Sequence, residues 1–190
     1  MLDWLFKSKK GGAARGEDSV WMSHAARLKG LNRDVGVLAE AEQSVLVVAL
    51  SLAALDELEA ALAQHQPSRR TDLFGKEALR ERLSNAGSVT VALSGALGTE
   101  VKAPADNGVD ILVYGRNDSR AADEAILRFA DALGPNAHIV FHLSLDDPLL
   151  KDFAESLVPM LEKLGLKEDE PISQAFVTHA IANAQKKRGG

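Results

Sequence analysis

The chain has no cysteine in its 190 residues, so it can hold neither a disulfide framework nor a thiolate zinc site, which fits a reducing compartment. Positive charge is in deficit as well. The 22 Lys plus Arg against 27 Asp plus Glu give a formal net charge of -5, which offers no general attraction for phosphates and disfavours nucleic acid as a partner. Long apolar runs are missing too: SVLVVALSLAAL is followed at once by Asp56, Glu57 and Glu59 and falls short of the roughly 20 residues a membrane helix needs. The opening MLDWLFKSKKGG puts its cations after a short apolar stretch, the reverse of a secretory signal, so the expected location is cytoplasmic.

What is present suits one α/β domain with a single core, since 46% of the residues are hydrophobic. Residues 1–19 are expected to be a flexible N-terminal segment containing the linker GGAARGED. Within it, Trp4 and Phe6 ahead of Lys7, Lys9 and Lys10 could dock weakly at an anionic membrane face or on a partner. Trp21, Ala25, Leu28, Leu31, Val35 and Leu38 then recur at helical steps. VLVVAL, residues 45–50, is a strand covered on both faces, with Ser51 as a cap for the helix carrying Leu52, Leu55, Leu58 and Leu62.

A short strand is expected at 69–73, a helix at 76–85 and a strand at 88–93, followed by the Gly- and Pro-bearing loop SGALGTEVKAPADNG. Val109 to Tyr114 is a further strand, and Asn117 or Asp118 is the expected cap of a helix that buries Ala122, Ile126, Phe129 and Leu133. After a last strand at 139–143 the pattern is wholly helical, with Pro159 inside one helix and Pro171 opening the next. Alternating strands and helices predict a mostly parallel sheet sandwiched by helices over residues 20–148, with a helical C-terminal extension over 149–190. Ligands of such sheets sit at the carboxyl ends of the strands, which here are Ser51, Ser94 to Glu100, Gly115 to Asp118 and Ser144 to Asp147.

Few residues carry obvious chemistry. His138 and His142 are four apart, but along a strand that separates them by about 13 Å, too far to share a metal. His24, His65 and His179 stand alone and suit surface or capping roles, and Asp146 with Asp147 suits caps. Ser94-Gly95 could form an anion-binding turn supported by Arg116 and Arg120.

The tail LSLDDPLLKDFAESLVPMLEKLGLKEDEPISQAFVTHAIANAQKKR closely resembles the SecA preprotein-translocase ATPases, where a typical member reads roughly LSLEDDLM and then DEPIEHKMVTRAIENAQKK. GSVTVALSGALGTEV resembles that family's GxVTIATNMAGRGTDI, so that Gly98, Thr99 and Glu100 match GTD. VWMSHAARLKGLNRDVGVLAEAEQSVLVVALSLAALDELEAAL resembles the elements that open the same lobe. The resemblance implies a RecA-like second motor lobe with its following helices. The family's helix QLRGRAGRQG supplies arginines to the transferred phosphoryl group. Here the matching helix reads AILRFADALG, with Arg128 as its one cation.

A phosphate loop G-x-x-x-x-G-K-[ST] is lacking, because Gly75 and Lys76 are followed by Glu77. The expectation is a P-loop NTPase lobe without its P-loop, needing no cofactor and not an enzyme: a noncatalytic accessory module acting by protein contact, with the Sec translocation machinery as partner, at the inner face of the cell membrane. The rival expectation is a small α/β protein that binds a nucleotide or other anion at Ser94, Gly95, Gly98, Glu100, Gly115, Arg116, Asn117, Arg120 and Arg128.

Overall fold

A computed structural model describes residues 7–8, 12–71, 81–98, 108–163, 165, 167, 170–172 and 177–188. The sheet grows outward from β4 (Ser44–Ala49), whose six residues are all buried. Along it Leu46 and Val48 face one side, and Val45, Val47 and Ala49 face the other, as the two-residue repeat of a strand requires. β7 (Val109–Tyr114) pairs with one edge of β4, and β6 (Val89–Leu93) with the other, both parallel. β5 (Ser68–Arg70) continues beyond β6, while β8 (Ala137–Ser144) lies outside β7.

Beyond β8 the chain closes the sheet with short pieces from its N-terminal part. β2 (Ala14–Arg15) and β3 (Ser19–Trp21) both run parallel to β8, and β1 (Lys7–Ser8) pairs antiparallel with β2. Among the described residues this makes eight strands, parallel apart from the β1–β2 pair. The expected α/β class is therefore observed. Two positions correct the sequence reading. Ala14 and Arg15, assigned to a flexible segment, are paired with His138 and Ile139, and the Ala13 and Ala14 side chains are buried. Trp21, assigned to a helical stripe, belongs to β3, and Ala25 of that stripe is exposed.

Helices cover both faces. α1 (His24–Glu40) and α2 (Leu52–Ala61) bury Leu31, Val35, Leu55 and Leu58 against Val45, Val47, Val91 and Leu112. Each begins at a serine: Ser23 Oγ accepts from the Ala26 amide at 3.1 Å, and Ser51 Oγ from the Ala54 amide at 3.2 Å. On the opposite face α3 (Arg120–Leu133) buries Ile126, Phe129, Ala130 and Leu133 and stops at Gly134, where φ is 97°. Ser119 stands at its N-terminal boundary and makes no side-chain capping bond, and Asp123, inside the helix, reaches back to accept the Asn117 amide at 2.9 Å.

The C-terminal helices share that second core. α4 (Lys151–Lys163), with Pro159 inside it, and α5 (Thr178–Arg188) contribute Leu157, Leu161 and Ile181, while Ile172 bridges to Val20. Trp4, Phe6, Lys9, Lys10, Thr99 and Glu100, residues 76–80 of the helix expected at 76–85, and residues 173–176 fall outside the described residues. Among the described residues no helix is long and apolar enough to cross a membrane.

Candidate functional site

The carboxyl ends of the strands open into a cleft of about 780 Å³. It is walled by the first turn of α1, the β4–α2 junction, the segment after β7 and the turn after β8. This is where a parallel sheet with helices on both faces places a ligand.

Arg27 anchors the cleft. Its side chain is 6% exposed, and its Nη1 donates to both oxygens of Asp147, at 2.7 and 2.9 Å. The guanidinium lies over the Tyr114 ring, 3.9 Å from its centroid. Nη2 donates to His24 Nδ1 at 2.9 Å, so that nitrogen is an acceptor and the ring hydrogen resides on Nε2. Nε2 then donates to Glu57 Oε1 at 2.6 Å, and the Tyr114 hydroxyl donates to Glu57 Oε2 at 3.1 Å. Burial pushes the Tyr114 phenol up to about 12, so it remains a donor at neutral pH. The cluster holds α1, α2 and β7 together at the cleft floor.

Of the aspartates after β8, Asp146 caps across the fold, accepting the His24 amide at 2.7 Å at the start of α1, while Asp147 accepts the nearby Ser144 amide at 2.9 Å. His142 lies beneath this cluster, 1% exposed. Burial first, and then the charges of Arg27 and Arg33, lower it to about 3. His138 and His142 have separate carboxylate neighbours, Asp110 at 3.4 Å and Asp34 at 3.9 Å. Among the described residues no group of His, Asp and Glu could hold a metal ion.

A second network borders the cleft. Arg116 Nη2 donates to Asp18 at 2.6 Å and Nη1 to Asp123 at 3.3 Å, with the guanidinium 4.0 Å from the Phe141 ring centroid. Burial raises the Asp18 pKa, and the Arg116 charge opposes that rise. Asn117 Nδ2 also donates to Asp123, at 3.0 Å, and Gln185 of α5 donates to Asp123 at 2.7 Å and to the Asn117 carbonyl at 2.9 Å.

The residues singled out from the sequence are thus divided. Gly115, Arg116 and Asn117 line the cleft. Ser94 and Gly95 form a turn at the end of β6 with Gly98 just beyond, and β4 separates that strand from β7. Arg116 and Arg120 do not support that turn, since Arg116 pairs with Asp18 and Asp123 and Arg120 with Glu124 at 3.0 Å. Arg120 and exposed Arg128 border a separate hollow along α3, of about 400 Å³. Sequence reasoning missed His24, Arg27, Glu57 and Tyr114. One signal was available: Arg27, Leu31 and Val35 follow at four-residue steps, which sets a cation on the buried stripe of α1.

No family model matches the chain. The protein translocase subunit SecA of Clostridium acetobutylicum is 32% identical over 184 residues, covering 91% of this chain. The SecA subunit of Desulfotalea psychrophila is 29% identical over 184 residues, and that of Clostridium botulinum is 29% identical over 198 residues, covering 99% of this chain. Over nearly its whole length the chain resembles one part of SecA. It spans 22% of the length of these SecA subunits, so it corresponds to one part of a much longer protein. Among solved structures, the C-terminal part of the Fun30 ATPase domain superposes with a TM-score of 0.51 at 11% identity, covering 85% of this chain and 54% of that one. That likeness shows the fold, a RecA-like lobe.

The expectation that this chain is not an enzyme is corrected by these matches. Its sequence relatives are SecA translocase subunits, and its structural neighbour is part of an ATPase domain. A phosphate loop missing from 190 residues is weak ground for that expectation when the SecA subunits are several times longer.

Proposed function

We propose that this SecA-related chain works in protein translocation as an accessory or regulatory lobe that acts through protein contact, with the Sec translocation machinery as its partner. The reading is supported above all by the 32% identity to SecA extending over 91% of the chain. The charge arrangement favours contact over anion capture. Arg27 is matched by Asp147, and Arg116 by Asp18 and Asp123, so an anion seated in the cleft would have to strip cations from buried partners. The proposed place of action is the cytoplasmic face of the membrane.

Copurification tests this directly. Tagged chain, expressed beside the motor and channel components of its host and isolated under gentle conditions, is expected to retain at least one of them, and recovery of none would count heavily against the proposal. A second reading is favoured by the cleft itself, whose 780 Å³ at the strand ends would admit a nucleotide or a smaller anion. Titration calorimetry with ADP, ATP and a panel of anionic metabolites discriminates, since silence for all of them removes that reading.

A further inference from the structure

We infer that α5 controls the lip of the strand-end cleft through Gln185. The lip is the segment from Gly115 to Ser119, between β7 and α3, and its Asn117 lines the cleft. Two holds keep it in place. From its own helix, Asp123 accepts both the amide and the side chain of Asn117. From the far end of the chain, Gln185 donates one side-chain hydrogen to the Asn117 carbonyl of the lip and the other to Asp123, the residue that holds it.

Gln185 is only 8% exposed, so these bonds face little competition from water. The rest of α5 is weakly anchored. Among its described residues Ile181 and Gln185 are buried and Ala180 and Ala184 pack half-buried against the core, while Ala182, Asn183, Lys186 and Lys187 are exposed. A helix with one face in solvent opens more readily than central strands buried at every position. When α5 lifts, Asp123 keeps Asn117 and Arg116, but the Asn117 carbonyl loses its Gln185 partner and the lip is held from one side only. Coupling of this kind is reciprocal: a partner that moves α5 alters the cleft, and an occupant that moves the lip loosens α5.

The device is independent of what enters the cleft, so its test needs no ligand. Hydrogen exchange on the full chain is compared for the native protein, Gln185→Ala, Gln185→Glu and Ile181→Ala. Gln185→Glu sets a carboxylate against Asp123 and the Asn117 carbonyl, and Ile181→Ala loosens α5 while leaving Gln185 intact. In all three, peptides covering residues 115–119 are expected to exchange about tenfold faster or more, with Gln185→Glu the fastest, while β4 keeps its native protection. Unchanged exchange at 115–119 in both Gln185 variants overturns the inference. So does a rise shared equally by β4, or an Ile181→Ala effect confined to α5. If Gln185→Glu fails to fold, Gln185→Ala and Ile181→Ala still decide the matter.

Discussion

Replacing Asp147 by alanine tests the account of the cleft floor most sharply. Arg27 is 6% exposed and places both oxygens of Asp147 within 2.9 Å of one nitrogen, and Asp147 also accepts the Ser144 amide. Asp147→Ala leaves the guanidinium buried with His24 as its remaining side-chain partner. Breaking a buried pair from one side costs about 3–5 kcal/mol. Asp147 itself is 18% exposed, so water can partly replace it, and a loss of about 3 kcal/mol is the reasoned value. For a chain of this size that lowers the midpoint of thermal unfolding by roughly 6–12 °C. Urea unfolding, with an unchanged denaturant slope, measures the loss. The companion variant Arg27→Met with Asp147→Ala removes both charges and should recover a large share of it, because no unpaired ion is left inside. A loss below about 0.5 kcal/mol in the single variant, or a double variant no better than the single, would refute the reasoning.

Three further outcomes follow from the same structure. His142, held near 3 when folded against an ordinary value of 6.5, contributes stability that is present above pH 6.5 and lost as pH falls toward 3. His142→Leu should therefore flatten urea midpoints between pH 6 and 4 relative to the native chain, and an identical slope would remove this assignment. Gly30→Ala, which improves helix propensity, should nonetheless cost about 1–3 kcal/mol because a Cβ there would overlap ring carbons of Trp21; equal or greater stability in calorimetry would contradict it. Ser51→Ala removes the oxygen that accepts the Ala54 amide, and a loss of about 1 kcal/mol is expected by the same assay.

Much of the frame could be read from residues close in sequence. VLVVAL and VDILVY announced β4 and β7 because strands buried on both faces need unbroken apolar runs, and Ser51 and Gly134 marked helix ends through local backbone chemistry. β2 and β3 gave no such sign. They are two and three residues long, and β8, their partner, lies far away in sequence. The position of the cleft followed from parallel-sheet geometry, but its chemistry did not. Glu57 meets His24 and Tyr114 only because α1 and α2 pack side by side over the end of β7. Arg116 looked free for an anion because its partner Asp18 is 98 residues away.

The pairing of β3 with β8 also bears on how the chain is made. Trp21, the α1 start and Arg27 take their partners from residues 120 or more positions later, as the His24–Asp146 and Arg27–Asp147 contacts show. At ordinary rates of synthesis that separation corresponds to roughly ten seconds. Through that interval Trp21, which ends 1% exposed, lacks the strand that it pairs with. The newborn chain is therefore open to chaperones, and to its own neighbours on crowded ribosomes, for longer than a fold of local contacts would be.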